Sequence, residues 1–78
     1  MATTENAIAT AIAQAIPDAK IEVGAGSGGH YTLTVISPVF SGKSMLESQR
    51  LVYSAIAHLM KGAGAPVHAI DSLKTRTP

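Results

Sequence analysis

His30-Tyr31-Thr32-Leu33-Thr34-Val35-Ile36 decides the fold. Tyr31, Leu33 and Val35 point one way and Thr32 and Thr34 the other, the two-residue period of a half-buried strand built from aromatic and β-branched side chains. Upstream, Lys20-Ile21-Glu22-Val23 alternates in the same fashion. Gly24-Ala25-Gly26-Ser27-Gly28-Gly29 lies between the two runs and reads as a flexible loop, so the pair is expected to form an antiparallel hairpin.

Helices flank this hairpin. Thr3, Thr4 and Glu5 supply hydroxyl caps and an early carboxylate, Ile8, Ile12 and Ile16 repeat on one face, and Pro17 ends the first helix. Pro38 and Gly42 bracket a turn, after which Ser44-Met45-Leu46-Glu47 fits a capping box. The second helix is expected to run to about Lys61, burying Met45, Val52, Ile56 and Leu59, with Leu51, Ala55 and Met60 widening the stripe. Gly62 or Gly64 can cap its end.

Val67 to Thr75 reads as a last strand, reached through a helical crossover and therefore parallel to His30–Ile36. The order helix, strand, strand, helix, strand predicts a small α/β (α+β) layer: a three-stranded mixed sheet with both helices on one face. The 78 residues make one domain, residues 1–78, whose core is small because so short a chain buries only about 60% of its unfolded surface.

Composition excludes several functions. There is no cysteine, hence no disulfide framework, thiolate metal site or cysteine nucleophile within the chain. Six basic and five acidic residues give a net charge of +1, too little for a strong pull toward nucleic acid or an anionic membrane. Met1 to Ile16 lacks a basic start and an unbroken apolar run, so no signal peptide is read there, and no stretch reaches transmembrane length. A soluble cytoplasmic protein is expected. No Ser/His/Asp set or carboxylate pair follows from the spacing, so the chain is not expected to be an enzyme.

Three histidines remain. His68 follows a Gly/Pro-rich loop at the start of the last strand; it reads either as a metal ligand or as an ordinary strand histidine bonded to a neighbour. His30 follows Gly28-Gly29 and reads either as a second ligand or as a residue capping the loop. His58 is a solvated or half-buried helix residue. Asp71 stands near His68, but its place on the strand is expected to turn it to the other side. The glycine loop joins two strands rather than a strand and a helix, so it offers no phosphate cradle.

His30-Tyr31, Val35-Ile36-Ser37, Phe40-Ser41-Gly42-Lys43-Ser44, Gln49-Arg50-Leu51-Val52-Tyr53, Val67-His68-Ala69-Ile70 and Lys74-Thr75-Arg76-Thr77-Pro78 occur in the order and spacing of one family. Taken together they resemble the BolA family from Gly28 onward. The resemblance implies an αββααβ, type II KH-like fold with a short extra helical turn at Phe40–Ser44. Ser48-Gln49 stand where many members carry Arg-His. One residue more than usual separates His68 from Lys74, which predicts a bulge at Asp71-Ser72. Relatives usually continue into a C-terminal helix beyond the position of Pro78, so a sheet edge or face is expected to be less covered.

The resemblance further implies a monothiol glutaredoxin partner and a [2Fe–2S] cluster shared with that partner and glutathione. His68 matches the family's histidine ligand, and a second ligand comes from the loop before the second strand, where His30 is the candidate. Imidazole is accepted by such clusters and is lost on protonation, which suits a carrier. The second expectation is a KH-like transcriptional regulator touching DNA through Lys43 and Arg50. No Gly-x-x-Gly clamp occurs at the Phe40–Met45 turn, which ranks this below the cluster reading. A monomer or weak homodimer without membrane attachment completes the expectation.

Overall fold

In the computed structural model, which describes residues 3–62 and 64–78, α1 (Thr4–Ala15) starts where the Thr3 hydroxyl accepts the N–H of Asn6 at 3.1 Å. Ile8, Ala11, Ile12 and Ile16 form its buried side. Strand β1 (Lys20–Ala25) follows, then β2 (His30–Ile36), a 3-10 turn (Pro38–Phe40), α2 (Met45–Met60) and β3 (Ala69–Arg76). The sheet order is β1-β2-β3, with β1 antiparallel and β3 parallel to β2. Helix α1 packs on β1, α2 packs on β3, and the two helices pack on each other. The mixed sheet with helices on one face is therefore as expected.

The core lies between these layers. Tyr31, Leu33 and Val35 face it from the central strand, Val52 and Ile56 from α2, and Ile8 and Ile12 from α1. A fully buried side chain of this kind contributes roughly 1.5–3 kcal/mol. The opposite sheet face carries Lys20, Glu22, Thr32, Thr34, Lys74 and Arg76.

The predicted bulge is present. Tyr31 pairs with Ile70 and Thr32 with Ser72, so Asp71 is the extra residue. Leu73 and Thr75 thereby keep their partly buried side, which a simple insertion would have exposed.

Four expectations are corrected. Gly24 and Ala25 are not loop: they pair with Thr32 and Tyr31, which leaves a tight turn at 26–29 closed by Gly26 N–H to His30 O at 2.7 Å. The extra helical turn comes earlier than Phe40–Ser44, at Pro38–Phe40. Proline starts it, and the buried Ser37 hydroxyl caps it by accepting the N–H of Val39 and donating to Asp18 Oδ1 at 3.1 Å. Met45 is not in the core but 74% exposed, because buried Phe40 closes that end and Ser48 takes the buried place one turn in. Helix α2 ends at Met60 with Lys61 as its C-cap, where the sequence places its end. The last strand starts at Ala69 rather than Val67, because Val67 is buried under α2 and bonds to Leu59 O at 3.2 Å.

Among the described residues no helix is long and apolar enough to cross a membrane.

Candidate functional site

The parallel pairing of β2 with β3 brings the start of both strands to one end of the sheet, beside the turn that joins β1 to β2. His30 opens β2 and His68 immediately precedes β3, so both imidazoles belong to this hairpin end. His68 is thus not a strand residue. It is the last residue of the α2–β3 connection, displayed outward while its neighbour Val67 anchors the connection in the core.

Backbone and ring both fix His68 against the turn. Its N–H donates to Gly29 O at 2.9 Å, and the Ala69 N–H reaches the same oxygen at 3.3 Å. The ring lies over Gly29, where an added Cβ would come within 3.0 Å of His68 Cδ2. Gly29 also has φ +79°, a conformation costly for any residue with a side chain. The ring remains exposed. A cleft of about 240 Å³, lined by Met60, Gly62, Gly64, Ala65, Val67 and His68, opens beside it.

His30 is engaged differently. Its Nδ1 lies 2.8 Å from Asp71 Oδ1, with the two side chains 46% and 54% exposed. In the neutral ring the carboxylate selects the Nδ1–H tautomer and leaves the Nε2 lone pair free, the arrangement in which a carboxylate orients a ligating histidine. Asp71 therefore serves His30 and not His68. In the sequence Asp71 reads only as a neighbour of His68, on a strand expected to start at Val67. Combining the predicted bulge with the predicted parallel pairing would have set Asp71 beside the start of β2.

Among the described residues no three metal-binding side chains are grouped on one point. The hairpin end thus offers two imidazoles, one fixed and one carboxylate-backed, and no complete ligand set. Such a donor set fits a cluster whose remaining ligands come from another molecule.

Lys43 and Arg50 are not part of this end. Strand β2 runs away from the turn, so the segment that carries Lys43 and the N-terminus of α2 lie at the far end of the sheet. Both residues are exposed. Glu47 sits between them in sequence and closes the expected capping box, accepting the Ser44 N–H at 3.0 Å while Ser44 accepts its own N–H at 3.1 Å. Hydrogen bonds to its carboxyl from the Ser44 backbone N–H and then the Ser44 hydroxyl, aided by Lys43, hold Glu47 below the usual carboxylate range. His58 lies on the outer groove between α1 and α2, with Asn6, Thr10 and Gln14.

A family model described as BolA-like protein matches residues 7–78. BolA-like protein 1 of Homo sapiens is 35% identical over 83 residues, covering 95% of this chain, and the chain spans 58% of that relative's length. A bolA protein homologue from Coxiella burnetii is 35% identical with a TM-score of 0.77, covering 100% of this chain and 94% of its own. The BolA domain of SufE1 from Arabidopsis thaliana is 25% identical with a TM-score of 0.82, covering 100% of this chain and 95% of its own.

Proposed function

The chain belongs to the BolA family, and on that premise we propose that it is an interaction protein rather than an enzyme. In this reading the hairpin end docks against a monothiol glutaredoxin. His68 completes the ligand set of a [2Fe–2S] cluster held mainly by the sulfurs of that partner and of glutathione. The setting is iron–sulfur trafficking or iron and redox signalling in a reducing compartment such as the cytoplasm.

The observation that carries the reading is the exposed His68 ring seated on Gly29 beside an open cleft. A ligand that must meet iron brought by another protein has to be exposed, yet held in one place so that little freedom is lost on meeting it. The backbone bond to Gly29 O supplies the second property without using a ring nitrogen. A neutral imidazole offers its lone pair to the metal and loses that capacity when protonated, which makes the attachment reversible. His30 is the second candidate donor, with Asp71 holding its ring and Nε2 directed to be the free nitrogen.

The test is spectroscopic. A monothiol glutaredoxin loaded with iron, sulfide and glutathione should change its visible absorption when this chain is added. The variant His68→Ala should fold normally and produce no such change. An unaltered spectrum with the wild-type chain would sink the reading.

The nucleic-acid reading ranks second, resting on the exposed Lys43 and Arg50. The net charge of +1 and the acidic Glu47 between them weaken it. DNA binding that falls steeply with salt, and further with Lys43→Ala and Arg50→Ala, would restore it.

A further inference from the structure

Three features meet at the end of the molecule away from the histidines. First, β3 is an edge strand, eight residues long, and among the described residues no strand pairs with its outer side. Second, a groove of about 180 Å³ runs along that edge, lined by Met45, Gln49, Leu73, Lys74, Thr75 and Arg76. Met45 is 74% exposed at its rim. Third, Lys20, Lys43, Arg50, Lys74 and Arg76, five of the chain's six lysines and arginines, lie toward this end. Glu22 shares the open sheet face with Lys20 and Lys74, whereas Glu47 is committed to the α2 cap and Asp18 to the Ser37 hydroxyl, so basic groups outnumber free acids here.

We propose that this edge receives an extended peptide segment of a partner protein, alternating apolar and acidic residues, which adds to the sheet as a fourth strand beside β3. The alternation follows from the two faces of the edge. On the helix face an added strand meets Met45 and Leu73, and the groove has the size for one apolar side chain but not for a small-molecule ligand. On the open face it meets Lys74 and Arg76, which stand on the same side as Lys20. Carboxylates there gain opposite-charge pairs with the neighbouring strand.

A second copy of this chain is the disfavoured occupant. Two β3 strands paired across a two-fold axis would place Lys74 and Arg76 of both copies on one face, a like-charge arrangement. Edge lysines commonly deter such self-pairing, so the cations exclude the chain's own edge while attracting an acidic one.

The probe is a displayed library of random peptides, selected on the intact folded chain. Enrichment of sequences alternating Asp or Glu with aliphatic residues is the expected result. The best such peptide, made synthetically, should slow amide exchange along β3 and not along β1. Methylating alternate backbone nitrogens of the peptide should weaken it about tenfold or more, as should Lys74→Glu with Arg76→Glu. His68→Ala should leave the affinity unchanged, which separates this surface from the cluster site. Enrichment of basic sequences or of none overturns the proposal. So does an N-methylated peptide that binds equally well, protection at β1, a dimer formed through β3, or a DNA duplex that outcompetes the peptide at this edge.

Discussion

The imidazole of His68 lies on the backbone of Gly29, so close that a methyl group at position 29 would sit 3.0 Å from Cδ2 and 3.1 Å from Cγ. The same glycine has φ +79°, and its carbonyl accepts the backbone N–H groups of His68 and Ala69. Position 29 therefore sets where the exposed ring stands. Gly29→Ala should cost roughly 1–2 kcal/mol from its left-handed backbone alone. The added methyl must also push the ring aside. Urea unfolding should register the first effect, and a shift of the His68 ring resonances in the folded protein the second. A variant of wild-type stability with unmoved His68 resonances would show that the contact does not hold the ring.

Asp71 holds the other imidazole. Because both partners are about half exposed, the pair is a weak source of stability, and Asp71→Ala should change the unfolding free energy by less than about 1 kcal/mol. Its effect is on the tautomer. Nitrogen chemical shifts of His30 should report Nδ1–H in the wild type and a shift toward Nε2–H in the variant. If His30 also serves as a donor, assembly with the loaded glutaredoxin should weaken about 10–100-fold in Asp71→Ala, as for other residues that orient a ligand. A tautomer unchanged by the substitution would remove Asp71 from this role.

Glu47 gives the fold a pH dependence of known sign. Hydrogen bonds from the Ser44 backbone N–H and hydroxyl, with Lys43 assisting, hold its carboxyl below its ordinary value. A carboxyl depressed in the folded state stabilises the protein above its unfolded pKa, and that contribution disappears as pH falls through the lower folded value. Stability should therefore decline on acidification below about 4.5. In Ser44→Ala the Glu47 titration should return toward the ordinary range and this part of the acid decline should flatten. The same substitution should cost about 1 kcal/mol at neutral pH through the lost cap. Denaturant midpoints measured across the acid range decide the matter.

Local chemistry made most of the architecture readable. The Ser44–Glu47 box, the isoleucines of α1 and the alternation in His30–Ile36 each specify an element from within a few residues. The one-residue excess before Lys74 foretold the bulge, because a sheet with one buried face cannot accept a slip of one position. What stayed hidden depends on tertiary placement. Nothing near Val67 announces that its N–H will bond to α2 instead of joining the sheet, and so the start of β3 was misplaced. That error also concealed that Asp71 meets His30. The seat of His68 on Gly29 joins residues far apart in sequence and has no local signature.

Met45 shows how a correct helix can carry a misread face. The apolar stripe of α2 predicts Met45 in the core with Val52, but Ser48 and Phe40 are the buried residues there and Met45 is 74% exposed, whereas Ile56 is sealed at 0%. The two residues should therefore respond oppositely to truncation. Ile56→Ala removes fully buried atoms and leaves a cavity, so it should cost about 2–5 kcal/mol, a large part of the stability of so small a domain. Met45→Ala removes a side chain standing mostly in water on a good helix position, and should change stability by no more than about 0.5 kcal/mol. The same Met45→Ala substitution should weaken the acidic–apolar peptide at the β3 edge, because it empties the rim of the groove while leaving the fold intact. A large loss of stability in Met45→Ala would mean that this side chain packs in the core after all, and would remove the exposed apolar rim on which strand addition depends.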